Sequence, residues 1–303
     1  MSSQTDLYAT VTNSIITALE AGTAPWNCPW QLTHGNALPA NLATARPYRG
    51  INVILLTMQQ AARGYRANRW LTFLQARALG GCVRRGETGT NIIFFKMFEC
   101  DQDRRAANDA AARKVIPLLR AFTVFNAAQV DGLPEELTSV PELPEGWRPI
   151  DAAELLIEQS GAVIRHGGER AFYRPADDII QLPAPEAFHD VGSYYATALH
   201  ELAHWTGHES RCNRVLTGRQ HIEQYAYEEL IAELGAAFLC SHCGVPGELQ
   251  HASYIESWLK ALKSDKRLIF SAASLAQKAA DYLLPAPATE AVAQAVIPEL
   301  EAA

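Results

Sequence analysis

The stretch HELAH at positions 200–204 is an H-E-x-x-H motif, and it is the pattern in this chain best suited to metal chemistry. The preceding residues, SYYATAL, are compatible with a helix, and residues four apart on a helix share one face. His200 and His204 can therefore converge on one divalent cation. Glu201 projects from the adjacent part of that face, where it can take a proton from a water activated by the metal. The motif predicts a catalytic site for Zn²⁺, with Mn²⁺ as the other candidate ion.

A catalytic zinc ion needs a third protein ligand and one open coordination position. The sequence QYAYEELIAELGAAFLC at 224–240 predicts a second helix, on which Glu229 and Glu233 share a face and Glu228 points about a quarter turn away. Because this helix is largely apolar, buried carboxylates on it are costly without a cation. We predict that Glu229 is the third ligand and that Glu233 accepts a hydrogen bond from a ligand imidazole, and the reverse assignment stays open.

A site with three histidines fits the spacing less well. The longer motif H-E-x-x-H-x-x-G-x-x-H matches at Gly207, but its third histidine would stand where this chain has Ser210. Two histidines and one glutamate are therefore the predicted ligand set. Several residues could stabilise a tetrahedral oxyanion, and the sequence does not choose among them. These candidates are His208, Arg211, His221, Tyr225 and Tyr227.

The composition predicts a globular, cytoplasmic protein without a membrane partner. Of the 303 residues, 48% are hydrophobic and 19% charged, and no stretch approaches the ~18 apolar residues of a membrane span. The first residues lack the basic and apolar regions of a signal peptide. Six cysteines do not form a disulfide framework, and we interpret the C-x-x-C at 240–243 as a helix end with partly buried thiols. The remaining cysteines, predicted to be small core residues, are Cys28, Cys82, Cys100 and Cys212.

The net charge of −7 conceals an asymmetry, because residues 1–120 carry +7 and residues 121–303 carry −14. A basic half is typical of nucleic-acid binding, although ordinary solvated surfaces could give the same asymmetry. Proteins that bind single strands combine cations that follow the phosphates with aromatic faces on which bases stack. The basic half interleaves such residues, although its tryptophans could equally anchor the core of a small domain. The candidate DNA-binding residues are Trp26, Trp30, Arg46, Tyr48, Arg49, Arg66, Arg69, Trp70, Arg84 and Arg85.

A segment rich in proline and acidic residues, 131–149, coincides with the change in charge sign and predicts a linker. It separates a predicted single-stranded-DNA-binding domain at 1–130 from a predicted metallopeptidase domain at 150–303, each of the α+β class. The first domain is predicted to have helices at 7–19, 52–64 and 71–81 and strands at 91–98 and 118–125. The strand at 91–98 is too apolar to be half exposed. The second is predicted to have a helix that starts with a capping box at Asp151 and Glu154, strands at 162–165, 170–173 and 179–182, and helices at 193–206, 225–241, 253–263 and 270–284.

These motifs together resemble the ArdC-type antirestriction proteins of conjugative plasmids over nearly the whole chain. GTAPWNCPW, RPYRGINVILL and RWLTFLQARALGGCVRRGETGTNIIFF resemble the family's N-terminal single-stranded-DNA-binding module, which also stands at the front of some plasmid primases. LHELAHWTGHESR and YAYEELIAELGAAFLC resemble its zincin-like metallopeptidase module. The resemblance implies a mixed sheet packed on the two helices that hold the metal. It assigns metal binding to His200, His204 and Glu229, and catalysis to Glu201.

The resemblance also implies that the protein protects incoming plasmid DNA from host restriction during conjugation. We therefore expect a plasmid-borne protein in which a DNA-binding domain is tethered to a zinc-dependent peptidase, with a host protein as the candidate substrate. Strand 179–182 is expected to be an edge strand that docks the substrate backbone. One alternative is a non-catalytic protein that coats single strands and whose metal site is structural. Another is a peptidase with no nucleic-acid role.

Overall fold

The computed structural model describes residues 6–22, 24–26, 38–100, 114–138, 149–216, 222–245 and 252–284, which form helices and short sheets. The helices are α1 (Leu7–Glu20), α2 (Ile51–Arg63), α3 (Phe73–Ala78), α4 (Glu135–Thr138), α5 (Pro149–Ser160), α6 (Val191–Trp205), α7 (Ile222–Cys243), α8 (Ala252–Ser264) and α9 (Leu268–Leu283). The strands are β1 (Ala40–Asn41), β2 (Arg69–Leu71), β3 (Cys82–Val83), β4 (Thr90–Cys100), β5 (Lys114–Asn126), β6 (Val130–Asp131), β7 (Val163–His166), β8 (Phe172–Arg174) and β9 (Ile179–Leu182). This mixture confirms the predicted α+β class.

The N-terminal half is built on a four-stranded sheet with the order β1-β2-β5-β4. The first pair is parallel and the other two pairs are antiparallel, with β4 and β5 forming the longest ladder. Both strands predicted in this half are confirmed, and so are α1 and α2, the latter ending at Gly64 in the left-handed conformation. The predicted helix at 71–81 is wrong at its start, because Leu71 pairs with Phe125 in the sheet. The helix begins only after Thr72, whose hydroxyl accepts from the backbone N–H of Gln75 in a capping box.

Strand β4 is not buried on both faces, contrary to the expectation from its apolar sequence. Ile93 is 7% exposed, whereas the next residue, Phe94, is 45% exposed. One face of β4 packs on α2, and the Asn52 side chain exchanges hydrogen bonds of 2.7 and 2.8 Å with the N–H and C=O of Ile93. At these two residues one face of β4 is covered and the other is exposed, whereas the side chains of 95–100 lie outside the described part of the chain.

The C-terminal half carries a three-stranded mixed sheet with the order β7-β9-β8, parallel between β7 and β9 and antiparallel between β8 and β9. The expectation that 179–182 is an edge strand is wrong, because β9 lies in the centre and β8 forms an edge. The sheet packs against α6, and α6 packs in turn against α7. Helices α6 to α9 confirm the four predicted helices. Helix α5 begins at Pro149, so Asp151 lies inside its first turn and the predicted capping box is wrong.

One hydrophobic core spans both halves of the chain. It joins buried side chains of α1 and α2 with those of α6 to α9, and Trp26 packs edge-on against Trp258 at 5.6 Å between ring centroids. Across the same boundary the Gln277 side chain accepts from the backbone N–H of Gly50 at 2.9 Å. The division at 131–149 stays a prediction. Of that segment, Asp131 lies in β6 and 135–138 forms α4, whereas 139–148 lies outside the described residues.

Cys240 and Cys243 are buried at the end of α7, as predicted, and burial raises the pKa of the Cys243 thiol to about 12. Cys82 is exposed, so its assignment to the core is wrong, and Cys212 is partly exposed. Cys28 and the side chain of Cys100 lie outside the described part of the chain. Among the described residues no helix is both long and apolar enough to span a membrane.

Candidate metal centre

Helix α6 presents the H-E-x-x-H residues from within the core. The N-cap of the helix is Asp190, whose carboxylate accepts from the backbone N–H of Ser193 at 2.7 Å, and the apolar residues around the motif, Leu199, Leu202 and Ala203, are fully buried. His200 is 3% exposed and Glu201 is 7% exposed. The two imidazole rings, one helical turn apart, lie 4.8 Å from each other between centroids. The predicted convergence of His200 and His204 is present in the structure.

Helix α7 places Glu229 opposite these two rings. Its carboxylate oxygens lie 3.5 Å from Nε2 of His200 and 3.6 Å from Nε2 of His204, and the three ligand atoms lie within 4.8 Å of one another. Burial would raise the pKa of Glu229, but the two imidazoles outweigh it and hold that pKa far below its usual value. Two imidazole nitrogens and one carboxylate oxygen are the donor set of a His₂Glu zinc centre. The residues present therefore fit a divalent cation.

A second carboxylate, that of Glu228, hydrogen-bonds the His204 ring nitrogen that is not the predicted metal ligand. Nδ1 of His204 lies 3.2 Å from Glu228 Oε1, so the ring lies between two adjacent glutamates of α7. This contact directs Nε2 towards the metal position and fixes the imidazole tautomer. The sequence prediction gave this role to Glu233, but at His204 it belongs to Glu228. Glu233 is only 1% exposed, and its role at the other ligand stays a prediction.

Arg214 holds Glu228 in place and was missed by the sequence analysis. Its guanidinium donates to both carboxylate oxygens of Glu228 at 2.8 to 3.3 Å and to Thr206 Oγ1 and the carbonyl of Ala203, both at 2.8 Å. A Cβ on Gly207 would lie within 3.0 Å of the Arg214 side chain. The glycine that predicted a helix stop therefore also leaves space for this guanidinium. The charge of Arg214 compensates that of a buried carboxylate and lowers the pKa of Glu228.

His204 makes metal affinity depend on pH. Burial alone would lower its pKa, but Glu228 and Glu229 raise it well above the usual value. Since the pKa of His204 is raised, a cation must compete with a proton for this imidazole to a higher pH than at an ordinary histidine. We expect Mn²⁺ affinity to rise with pH by up to about tenfold per unit around and above the usual titration range of histidine, with up to about one proton released per ion. Titration calorimetry in buffers of different ionisation enthalpy measures both quantities, and an affinity independent of pH would contradict this expectation.

The metal-binding residues open into a cavity of about 430 Å³. Phe172 and Tyr173 of the edge strand β8 line it with the histidines, together with Tyr225 and Tyr254, whose hydroxyls are 3.3 Å apart. Of the oxyanion candidates Tyr225 lines this cavity. The others bond elsewhere, His208 to Ser210, Arg211 to Asp178 and Tyr227 to Ser271, whereas His221 lies outside the described residues.

Arg211 fixes the edge strand relative to the metal helix. Its guanidinium is bidentate to Asp178, donates to the Tyr173 hydroxyl at 3.1 Å and to the Trp205 carbonyl at 2.7 Å, and stacks over the Trp205 ring at 3.7 Å. Asp178 lies in the turn between β8 and β9, with a positive φ of 52°. One buried side chain thus joins this hairpin to the end of α6.

Exchanging Arg211 for methionine is expected to lower the free energy of unfolding by about 2–3 kcal/mol, because several charge-assisted hydrogen bonds are lost together. Hydrogen exchange in β8 should also become faster. Denaturant unfolding and exchange mass spectrometry measure the two effects. The control is Arg174→Met, since Arg174 forms an exposed pair with Asp177 in the same hairpin and should cost less than about 1 kcal/mol. Equal losses in both variants would contradict the assigned role of Arg211.

Comparison with known proteins reveals the family. Residues 151–275 match the zincin-like metallopeptidase family, and residues 5–125 match the N-terminal domain of anti-restriction factor ArdC. The crystal structure of the antirestriction ArdC protein from plasmid R388, in its metal-free form, is 43% identical, with a TM-score of 0.75 over 92% of this chain and 96% of that one. The chain belongs to the ArdC antirestriction family. The resemblance seen in the sequence is therefore confirmed.

One of the other relatives of this ArdC-family chain is much longer than the chain itself. The uncharacterized protein y4eC of Sinorhizobium fredii is 42% identical over 92% of both chains. A DNA primase TraC of Escherichia coli is 43% identical over 90% of this chain, but that match spans only 26% of the primase. The Mn(II)-bound structure of the R388 ArdC protein has a TM-score of 0.73 at 43% identity over 92% of this chain and 97% of that one.

The N-terminal ArdC domain presents the predicted DNA-binding residues unevenly. Trp26 and Trp70 are 3% and 0% exposed, so bases cannot stack on either ring in this conformation, and Trp30 lies outside the described residues. Tyr48 is half-buried and its hydroxyl accepts from Asn41. Arg49 pairs with Asp281, and Arg84 pairs with Glu87 and Asp131. Arg69 is half-buried, and the predicted DNA-binding arginines that are exposed and form no salt bridge with a described residue are Arg46, Arg66 and Arg85.

Proposed function

We propose that this ArdC-family protein binds single-stranded DNA through its N-terminal half, hydrolyses peptide bonds at its metal centre, and so protects incoming conjugative DNA from host restriction. A host protein is the proposed substrate and the cytoplasm the proposed place of action. The observation that carries the enzymatic part is the arrangement of His200, His204, Glu229 and Glu201 around one open cavity bordered by an edge strand. Zn²⁺ is the proposed ion, and the Mn(II) of the R388 relative supports Mn²⁺ as the other candidate.

His200, His204 and Glu229 would hold the ion, and Arg214 and Glu228 would keep the ring of His204 in its ligating orientation. When bound, such an ion lowers the pKa of a coordinated water and polarises the substrate carbonyl. Glu201 takes the proton from the attacking water and delivers it to the leaving amine. Tyr225 lines the cavity, and its hydroxyl would donate to the developing oxyanion.

The edge strand β8 would orient the substrate. Its outer side pairs with no other strand among the described residues, and Phe172 and Tyr173 line the metal cavity. An extended peptide can add to such an edge through backbone hydrogen bonds. Arg211 would hold this edge at a fixed distance from Glu201, which lets the enzyme present the scissile carbonyl without a rearrangement of the sheet.

The proposed DNA surface depends on arginines rather than on tryptophans. Residues 1–120 carry a net charge of +7, and Arg46, Arg66 and Arg85 are exposed. Arginines attract phosphates without regard to sequence, and they stack on bases. The similarity to primases named DNA primase TraC supports a role close to DNA. Arg49 and Arg84 could join this surface only by giving up their carboxylate partners.

Conjugation into restricting and non-restricting recipients tests the proposal. Wild-type protein should raise plasmid transfer into the restricting strain, whereas Glu201→Gln and the triple variant R46Q/R66Q/R85Q should each lose this protection. A triple variant with the same charge loss elsewhere, R165Q/K260Q/R267Q, is the control and should protect. Full protection by Glu201→Gln would instead support the non-catalytic coating protein with a structural metal site. If the protein does not bind labelled single strands, or binds them without salt dependence, the nucleic-acid role is excluded and the peptidase function alone remains.

A further inference from the structure

A second cavity, of about 260 Å³, lies between the two halves of the chain. Ala40 of β1 and the turn residues Ala45 and Pro47 line one side, and Ser241 from the last turn of α7 lines the other. It shares no lining residue with the metal cavity. Because Ser241 and Glu229 are twelve residues apart on α7, the two sites are separated by about 18 Å along that helix. This cavity is therefore a distinct feature of the junction between the halves.

Two residues of its wall each carry a buried polar atom that has no hydrogen-bond partner among the described residues. These atoms are Nη1 of Arg69 and Oγ of Ser241, and both are shielded from bulk water. Ser241 is only 4% exposed, and Arg69 forms no salt bridge among the described residues. Buried donors without partners are rare in folded proteins, since each costs its desolvation. Burial also lowers the pKa of Arg69, which reflects the cost of keeping this charge out of water.

The chemistry of the wall selects the ligand. The described residues that line the cavity include a guanidinium, a hydroxyl and the imidazole of His242, but no carboxylate. A ligand with several acceptor oxygens and a negative charge would offset the buried charge of Arg69 and offer acceptors to the donor groups of this wall. The last turn of α7 contributes the negative end of the helix dipole, which weakens the attraction for an anion without reversing it. We propose that this cavity binds a phosphate group, held by Arg69 and Ser241.

The phosphate has two sources with the same chemistry, namely free inorganic phosphate and the backbone of a DNA strand. The second source rests on the proposed DNA binding. It is favoured by Arg46, an exposed arginine located in the chain between the lining residues Ala45 and Pro47. A strand that follows Arg46 would bring one phosphate to Arg69.

The test uses the full chain and four proteins, namely the wild type, Arg69→Gln, Ser241→Ala and the control Arg165→Gln. Ser241→Ala removes only an unpartnered hydroxyl, so the fold should persist even if Arg69→Gln is unstable. Calorimetric titration with inorganic phosphate at constant ionic strength should show binding to the wild type and the control. Binding should be about tenfold weaker or absent in the other two.

Anisotropy of a labelled oligothymidylate distinguishes the sources. If the strand supplies the phosphate, Arg69→Gln weakens strand binding and reduces the salt slope by about one, and inorganic phosphate competes. If the phosphate is free, the variants lose phosphate binding but bind the strand like the control. If the wild type binds phosphate but no strand, and both variants lose phosphate binding, the phosphate site stands and the proposed DNA binding is refuted. The site is refuted if Arg69→Gln and Ser241→Ala match the control for both probes.

Discussion

Exchanging Glu229 for glutamine is expected to lower the affinity for Zn²⁺ or Mn²⁺ by about 100-fold or more. The variant keeps the size of the side chain but replaces an anionic oxygen ligand, located 3.5 and 3.6 Å from the two imidazoles, with a neutral amide. Loss of a residue that hydrogen-bonds a metal ligand already costs about 10–100-fold in metal affinity, so loss of the charged ligand itself should cost at least as much. Titration calorimetry with each metal measures the change.

The matched control is Glu233→Gln. This residue lies one turn further along α7, is also buried, and undergoes the same chemical change. We expect it to lose less affinity than Glu229→Gln, because it is not one of the three clustered ligands and can at most support a ligand imidazole through a hydrogen bond. Loss of metal in Glu233→Gln with retention in Glu229→Gln would establish the reverse assignment that the sequence left open.

Exchanging Glu201 for glutamine is expected to lower the rate of peptide hydrolysis by about 100- to 10,000-fold, which is the usual contribution of a general base. The side chain is 7% exposed and lines the metal cavity, so the amide fits but cannot accept the proton of the attacking water. Metal affinity should stay within about threefold of the wild type, since Glu201 is not a member of the ligand cluster. Mass spectrometry of denatured casein incubated with each protein measures cleavage.

Glu209→Gln is the control for this variant. Glu209 follows the motif closely in the chain, but it is exposed and absent from the cavity wall, so its loss should leave cleavage unchanged. Cleavage at the wild-type rate by Glu201→Gln would exclude Glu201 as the base. No metal-dependent cleavage by the wild type would favour the coating protein whose metal site is structural.

The primary metal ligands could be predicted because their signal is local. His200 and His204 are four apart in one helix, and the apolar character of the second helix marked its glutamates as candidates, although it did not decide between Glu229 and Glu233. The contact of Glu228 with Nδ1 of His204 could not be predicted in the same way. Glu228 faces about a quarter turn from Glu229, yet both contact one ring, because the two nitrogens of an imidazole point in different directions. Arg214 reaches this pair from a loop, and no periodic pattern marks it.

The exposure of the aromatic residues in the N-terminal half could not be predicted from the sequence. Trp70 was a candidate stacking face, but the structure buries it against Tyr65 and satisfies its indole N–H with Asn68 Oδ1 at 2.6 Å. Sequence alone does not distinguish such a ring from an exposed one, since both stand in short polar segments. Similarly, the edge position of β8 depends on the order of three short strands, which the chain order does not reveal.

The central claim is that one divalent cation binds between His200, His204 and Glu229. It is tested most directly by anomalous scattering at the zinc absorption edge from crystals grown with Zn²⁺. We expect one strong peak about 2.0–2.2 Å from Nε2 of each histidine and from a carboxylate oxygen of Glu229, with Glu228 remaining on Nδ1 of His204. A peak coordinated by Glu228 or Glu233 in place of Glu229, or no peak in the cavity at all, would contradict the account.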